Sequence, residues 1–228
     1  MDDNLIIHIT KSFDILKSIL QSTSLRLAYS KERFCIGSKV VSNAAHPMVC
    51  FSEYNINELS TKTITYGKYG IAFTKAWACK NRISPVLYID SNSIAADGLA
   101  TLLRARRHKE TSRMNSKVKR SIMEIKCFTK NIRGRNTYLK INNFDFRSEN
   151  EWRYVPRKPD IGNNYISESL RTYLKNQKRY NDRLIPYPLK FKYDDIAMLF
   201  VSDENERIQI EEMHPAISSR IRVSEWET

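Results

Sequence analysis

Glycine and histidine are scarce in this 228-residue chain, with 6 and 4 copies. Gly67 and Gly70 do not complete a G-x-G-x-x-G, and no G-x-x-x-x-G-K-[ST] occurs. A Rossmann fingerprint and a P-loop are therefore excluded. No G-x-S-x-G elbow is present either. His8, His46, His108 and His214 are scattered, and Cys35, Cys50, Cys79 and Cys127 form no C-x-x-C. That leaves no zinc spacing, so no metal is expected. Widely spaced cysteines, with Cys50 inside the apolar run Pro47–Phe51, read as structural thiols of a reducing compartment. No apolar run approaches the ~18 residues of a membrane span. The N-terminus lacks a basic segment leading into an apolar one. The expectation is a cytoplasmic protein without a membrane partner.

Acidic residues are the other shortage. Lys and Arg total 38 against 25 Asp and Glu, a net charge of +13. Such a balance favours polyanions, nucleic acid first and an anionic membrane second. A solvated basic surface is the plainer alternative. The charge is concentrated: Arg104 to Arg135 holds 12 basic residues against Glu110 and Glu124, net +10. Arg106, Arg107, Arg113, Lys117 and Arg120 are the candidate nucleic-acid contacts. A second stretch interleaves Tyr165, Tyr173, Tyr180, Tyr187 and Tyr193 with Arg171, Lys175, Lys178, Arg179 and Arg183, a pattern that suits base stacking.

Periodicity sets out the elements. Residues 5–9 read as a strand, and 11–22 as a helix with Phe13, Leu16 and Leu20 on one face. Residues 23–46 are polar and read as a loop or short elements. Strands follow at 48–51, after the Tyr66–Gly70 turn, and at 85–89, with a short helix through Trp77. Residues 93–128 read as helical, with Met114, Val118, Ile122 and Ile125 as the apolar stripe and Arg113, Lys117 and Arg120 on a different face. Strands resume at 138–141, 152–155, 189–192 and 196–201. Asp203 with Glu206 reads as a capping pair, opening a helix that runs to about Met213. A last strand is expected within 217–226. Trp77 and Trp152 read as core. The mixture argues for one α+β domain over 1–228, with a basic helical insertion at 93–135.

The chemistry-bearing residues are His8-x-Thr10, Phe51-Ser52 and Glu149-x-Glu151. In that order they resemble the ADP-ribosyltransferase superfamily. More closely, P-M-V-C-F-S-E, Y-G-x-Y-G-I-x-F-x-K-x-W, P-V-x-Y and E-x-E-W-R resemble the AbiGi-type abortive-infection proteins of bacterial phage defence, over roughly residues 5–155. The resemblance implies a split mixed β-sheet that grips NAD as co-substrate. His8, Thr10, Phe51, Ser52, Tyr66 and Tyr69 would then hold NAD. Glu151 would stabilise the oxocarbenium-like charge that grows as nicotinamide leaves, and Glu149 would take a proton from the acceptor. Two residues apart on a strand, the two carboxylates would share one face. Glu151 can equally pair with Arg153 or Arg147. The implied function is an antiphage toxin that transfers ADP-ribose to nucleic acid, RNA before DNA, restrained by an antitoxin protein. Two alternatives stand beside it: a non-catalytic antitoxin or nucleic-acid- or partner-binding regulator of the same family, and an RNA 2′-phosphotransferase-like enzyme.

Overall fold

The structure is a computed structural model that describes residues 3–64, 66–107, 114–137 and 139–228. Strand β1 (Asn4–Thr10) alternates cleanly: Ile6 enters the larger core and Ile7 the smaller one on the opposite face. Helix α1 (Phe13–Ser22) starts where the Ser12 hydroxyl accepts from the Ile15 amide, and it ends at Thr23 in the left-handed region. Its Leu16, Ile19 and Leu20 are buried.

A short β2 (Ser24–Leu25) leads to β3 (Ala28–Ile36) and β4 (Lys39–Asn55). These form a long antiparallel hairpin across the segment expected to be irregular. Its two-residue turn is Gly37-Ser38, with Gly37 at φ +51°, a standard solution for a tight hairpin. Polar residues mask the alternation, but Tyr29 and Phe34 are buried.

Strand β5 (Tyr69–Thr74) leads into α2 (Lys75–Lys80), capped by the Thr74 hydroxyl. The expected single strand at 85–89 is two pieces, β6 (Ser84–Pro85) and β7 (Leu87–Ile89), which join different sheets. Proline at 85 has no amide to continue one ladder. Next come α3 (Ile94–Arg107), α4 (Ser116–Cys127), β8 (Thr129–Asn131), β9 (Arg133–Asn136), β10 (Ile141–Asp145) and β11 (Glu151–Tyr154). Ala96, Leu99, Ala100 and Leu103 of α3 are part of the main core. On α4 the inward face carries Ile122, Met123, Lys126 and Cys127, whereas Val118 and Ile125 are exposed. The apolar stripe read from the sequence is therefore rotated: buried Lys126 occupies the inner face.

The chain closes with β12 (Glu168–Ser169), α5 (Leu170–Lys175), α6 (Gln177–Asp182), β13 (Leu189–Lys190), β14 (Ile196–Val201), α7 (Glu204–Met213) and β15 (Ile221–Val223). Asp203 caps α7 by accepting from the Glu206 amide. The main sheet runs β15-β14-β5-β1-β4-β11-β6, with β3 and β12 also on β4. It is mixed, because β14 and β15 are parallel while their neighbours are antiparallel. The fold is α+β, as expected. Among the described residues, no helix is long and apolar enough to cross a membrane.

Candidate functional site

A cleft opens where two neighbouring strands part. Strand β1 pairs with β4 from Asn4–Asn55 to Ile7–Ser52 and then stops. Its pairing with β5 continues to Thr10–Tyr69. Strand β4 instead pairs with β3, from Met48–Ala28 to Lys39–Ile36. The resulting cleft measures about 480 Å³. His8, Thr10, Ile15, Phe51, Ser52, Tyr66, Lys130, Glu149 and Glu151 are among its lining residues. Ile7, Ser52 and Glu151 lie in register across three adjacent strands, so the first and last are about 10 Å apart at the backbone. Seven of the residues singled out in the sequence are thus neighbours in space.

Tyr69 is not among them. It sits at the opening of β5, where its hydroxyl donates to Glu206 Oε1 at 2.9 Å and its ring meets Phe13. The side chain faces α7, not the cleft. Glu149 reaches the cleft by a route other than the one expected. It ends a 3₁₀ turn, Phe146–Glu149, and Asn150 at φ 40° redirects the chain before β11 begins. The two carboxylates therefore do not share a strand face; a common lysine brings them together.

That lysine is Lys130, whose Nζ donates to Glu149 Oε2 at 2.5 Å and Glu151 Oε2 at 3.0 Å. Tyr66 donates its hydroxyl to the other Glu149 oxygen at 2.7 Å. Arg153 holds Glu151 side-on, Nε to Oε1 at 2.8 Å and Nη2 to Oε2 at 2.9 Å. The same guanidinium donates to Glu32 Oε1 at 2.8 Å and to the Cys127 carbonyl at 2.6 Å. Arg153 is fully buried and Glu151 nearly so. Burial pushes the Glu151 carboxyl up, but Arg153 and Lys130 together outweigh it and hold it at about 2. Burial pulls Lys130 down, yet Glu151, Glu32 and Glu149 raise it above its ordinary value. Glu151, Lys130 and Arg153 are thus all ionised at neutral pH. Arg147, the other partner considered for Glu151, pairs with Asp145 at 2.5 Å.

His8 hydrogen-bonds through Nδ1 to the Cys50 carbonyl at 2.9 Å. A carbonyl only accepts, so Nδ1 carries the proton and Nε2 is an acceptor. Burial lowers its pKa, with the Cys50 bond working the other way, so His8 is neutral at pH 7. Its ring meets Phe51 edge-on, with centroids 5.7 Å apart. A neutral imidazole acceptor beside an aromatic wall and the Ser52 and Thr10 hydroxyls can hold a sugar or a similar polyhydroxyl ring. Among the described residues, no group of three His, Cys, Asp or Glu is placed to hold a metal ion.

The basic run is only partly a surface. Arg106 Nε donates to the Lys119 carbonyl at 3.1 Å, tying α3 to α4, and Arg107 Nη1 donates to the Val41 carbonyl at 3.0 Å. Lys126 is buried and Lys130 serves the carboxylates. Lys117 and Arg120 are exposed on α4. Arg113 lies outside the described residues. Nor do the later tyrosines offer a stacking face. Tyr173 is buried against Tyr29, and Tyr180 packs on both. Tyr187 closes on Gly162, and Tyr193 donates to the Leu20 carbonyl. Only Tyr165 of the five is exposed.

Lys130 and Glu32 are members of the site that sequence patterning did not single out. Lys130 was hidden among 12 basic residues. Glu32 lies in the segment read as irregular. The Glu151–Arg153 pair was open to reading, since two residues on, on one strand, share a face.

Comparison with known proteins bears out the resemblance to abortive-infection proteins. The abortive phage resistance protein AbiGi of Lactococcus lactis subsp. cremoris is 29% identical over 184 residues, covering 68% of this chain and 71% of that protein. No solved structure matches the chain. The family model described as abortive phage resistance protein AbiGi, antitoxin, matches residues 16–202, which takes in the β4 wall of the cleft, Lys130 and the Glu151–Arg153 strand. The chain belongs to the AbiGi family of abortive phage resistance proteins.

Proposed function

We propose that this chain is the restraining partner of an abortive-infection pair, a non-catalytic antitoxin that binds and holds a toxin protein. The family description names an antitoxin. The observation that carries the reading is the state of Glu151. Both of its oxygens are held by Arg153, and Lys130 holds one of them as well. Two cations neutralise the carboxylate before any ligand arrives. A carboxylate meant to stabilise growing positive charge on a sugar works best when its own charge is uncompensated. Here it ties β11 to β8 through Lys130 and, through Arg153 and Glu32, to β3. Net charge of +13 supports nucleic acid as a second partner.

The test is a growth assay. The chain expressed alone should leave cells healthy, and co-expression with the product of the neighbouring reading frame should relieve that product's toxicity. Glu151→Gln should retain this relief wherever the variant stays folded. A chain that is toxic alone, with toxicity abolished by Glu151→Gln, would overturn the restraining role.

One observation favours a second reading, an NAD-dependent ADP-ribosyltransferase with a split sheet of that superfamily's type. His8, Thr10, Phe51, Ser52, Tyr66, Glu149 and Glu151 line one cleft at a split between strands. His8 Nε2 and Ser52 would hold the ribose, and Phe51 the nicotinamide ring. This reading requires Lys130 or Arg153 to release Glu151 on binding. Purified chain incubated with labelled NAD would then release nicotinamide, and His8→Ala would stop it.

A further inference from the structure

A second concavity of about 550 Å³ adjoins the first and shares Glu32, Tyr66, Lys130 and Glu149 with it. Its character is different. Lys31 and Arg33 stand two residues apart on β3, and Arg133 and Arg135 two apart on β9. All four are exposed and line the trough, while Glu32 between the first pair turns inward to Arg153. The alternation of a strand puts each pair on one face.

The acids near these cations are already spent. Glu32 serves Arg153, and Glu149 serves Lys130 and Tyr66. Asp145 approaches Arg133 only at 3.8 Å and is taken at 2.5 Å by Arg147. Among the described residues, no carboxylate pairs with Lys31, Arg33 or Arg135. A concave surface with three unpaired cations, and a fourth, Arg133, held only at 3.8 Å by an aspartate that Arg147 already engages, suits an extended polyanion. Cations two residues apart on a strand are about 6.6 Å apart, close to the step between consecutive phosphates of a stretched single strand. A duplex is a convex cylinder that does not enter a trough.

We propose that the trough between β3 and β9 binds the phosphate backbone of single-stranded RNA. The inference rests only on the nucleic-acid part of the reading above. Growth relief and RNA binding are separate measurements, so either can fail alone. It also moves the nucleic-acid surface away from α4, where Lys117 and Arg120 sit on a convex, solvated face.

The test is fluorescence anisotropy of the full chain with a labelled 12-nucleotide oligo-U across a salt series. Contacts to four phosphates give a slope of log K against log salt near −2.8, at roughly −0.7 per phosphate for single strands. Arg33→Glu with Arg135→Glu should weaken binding at least ~10-fold and flatten the slope by about 1.4. Lys117→Glu with Arg120→Glu should stay within about twofold. Should the Glu pair fail to fold, Arg33→Gln with Arg135→Gln gives the same slope change with less repulsion. The proposal falls if the wild-type chain does not bind the oligomer, or if the trough variants keep the full slope. It falls equally if the α4 variants lose as much, if a duplex competes as well as the single strand, or if ADP alone displaces it.

Discussion

Arg153 and Glu151 lie two residues apart on β11 and meet side-on, with both guanidinium–carboxylate contacts inside 3 Å. Both side chains are buried, so the pair is an internal strut between β11 and its surroundings. A buried pair adds little net stability over apolar residues, but breaking it leaves an uncompensated charge. Arg153→Met strands Glu32 and leaves Glu151 with Lys130 alone, and should cost about 3–5 kcal/mol. Glu151→Gln leaves Arg153 with Glu32 and the Cys127 carbonyl, and should cost about 1–3 kcal/mol. Urea unfolding of the two variants checks the order; a milder Arg153→Met would show that the strut is not where the strain falls.

Acid should unfold the protein in two stages. His46 is fully buried, its Nδ1 bonded to the Ile166 carbonyl and near Cys127 Sγ, and its Nε2 has no partner among the described residues. Burial first, then Lys126 and Arg153, hold its pKa at about 3. A value depressed on folding gives stability that is complete above the unfolded value near 6.5 and is lost as pH falls toward 3. The loss at pH 5 is about 2 kcal/mol. Glu151, held at about 2, adds a second limb that begins below the ordinary glutamate range near 4.3. His46→Gln should shrink the upper limb, to which His8 also contributes, and keep the lower one. Melting temperatures from pH 7.5 to 2.5 would show both limbs; an undiminished upper limb would assign it elsewhere.

Where a single side chain carries its own signal, the fold was legible. Asp203 caps the helix it precedes. The run Ile196–Val201 is the strand it reads as. The motif order led to residues that share a cleft, because Ile7, Ser52 and Glu151 are in register across adjacent strands. The β3–β4 hairpin was missed for a compositional reason: Lys31, Glu32, Arg33, Ser42 and Asn43 mask its alternation. Its signal was the pair Gly37-Ser38 between two such runs. The pairing of Glu149 with Lys130 joins residues 19 apart through a turn that no periodicity describes. Tyr173 and Tyr180 were misread because they pack on Tyr29 of β3, itself unrecognised.

Helix α4 gives a test of which face is inward. Ile122 is buried while Val118, part of the stripe read from the sequence, is exposed. Ile122→Ala should cost about 2–5 kcal/mol, and Val118→Lys should stay within about 0.5 kcal/mol. Equal costs would mean that the sequence stripe, and not the Ile122–Lys126 face, packs on the core.

The wall of the cleft also depends on one glycine. Gly67 adopts φ +139°, and a Cβ there would lie 2.3 Å from the Thr10 carbonyl oxygen and 3.2 Å from Lys11 Cα. Both obstacles are backbone, so neither can rotate away. Its own carbonyl accepts from Trp226 Nε1 at 2.9 Å, which pins the last segment to the cleft. Gly67→Ala must therefore move the end of β1, and should cost about 2–4 kcal/mol. Gly98 is the control. It lies within α3, exposed, with nothing within 4 Å of an added Cβ. Gly98→Ala should raise stability by about 0.5–1 kcal/mol, because alanine loses less backbone freedom in a helix. Thermal melts of the two variants should move in opposite directions from the wild type. Because Thr10 and the Trp226 anchor both lean on residue 67, Gly67→Ala should also loosen the chain after Val223, seen as faster hydrogen exchange there. A Gly67→Ala protein as stable as wild type, with that segment equally protected, would mean that the contact with Thr10 does not shape the cleft.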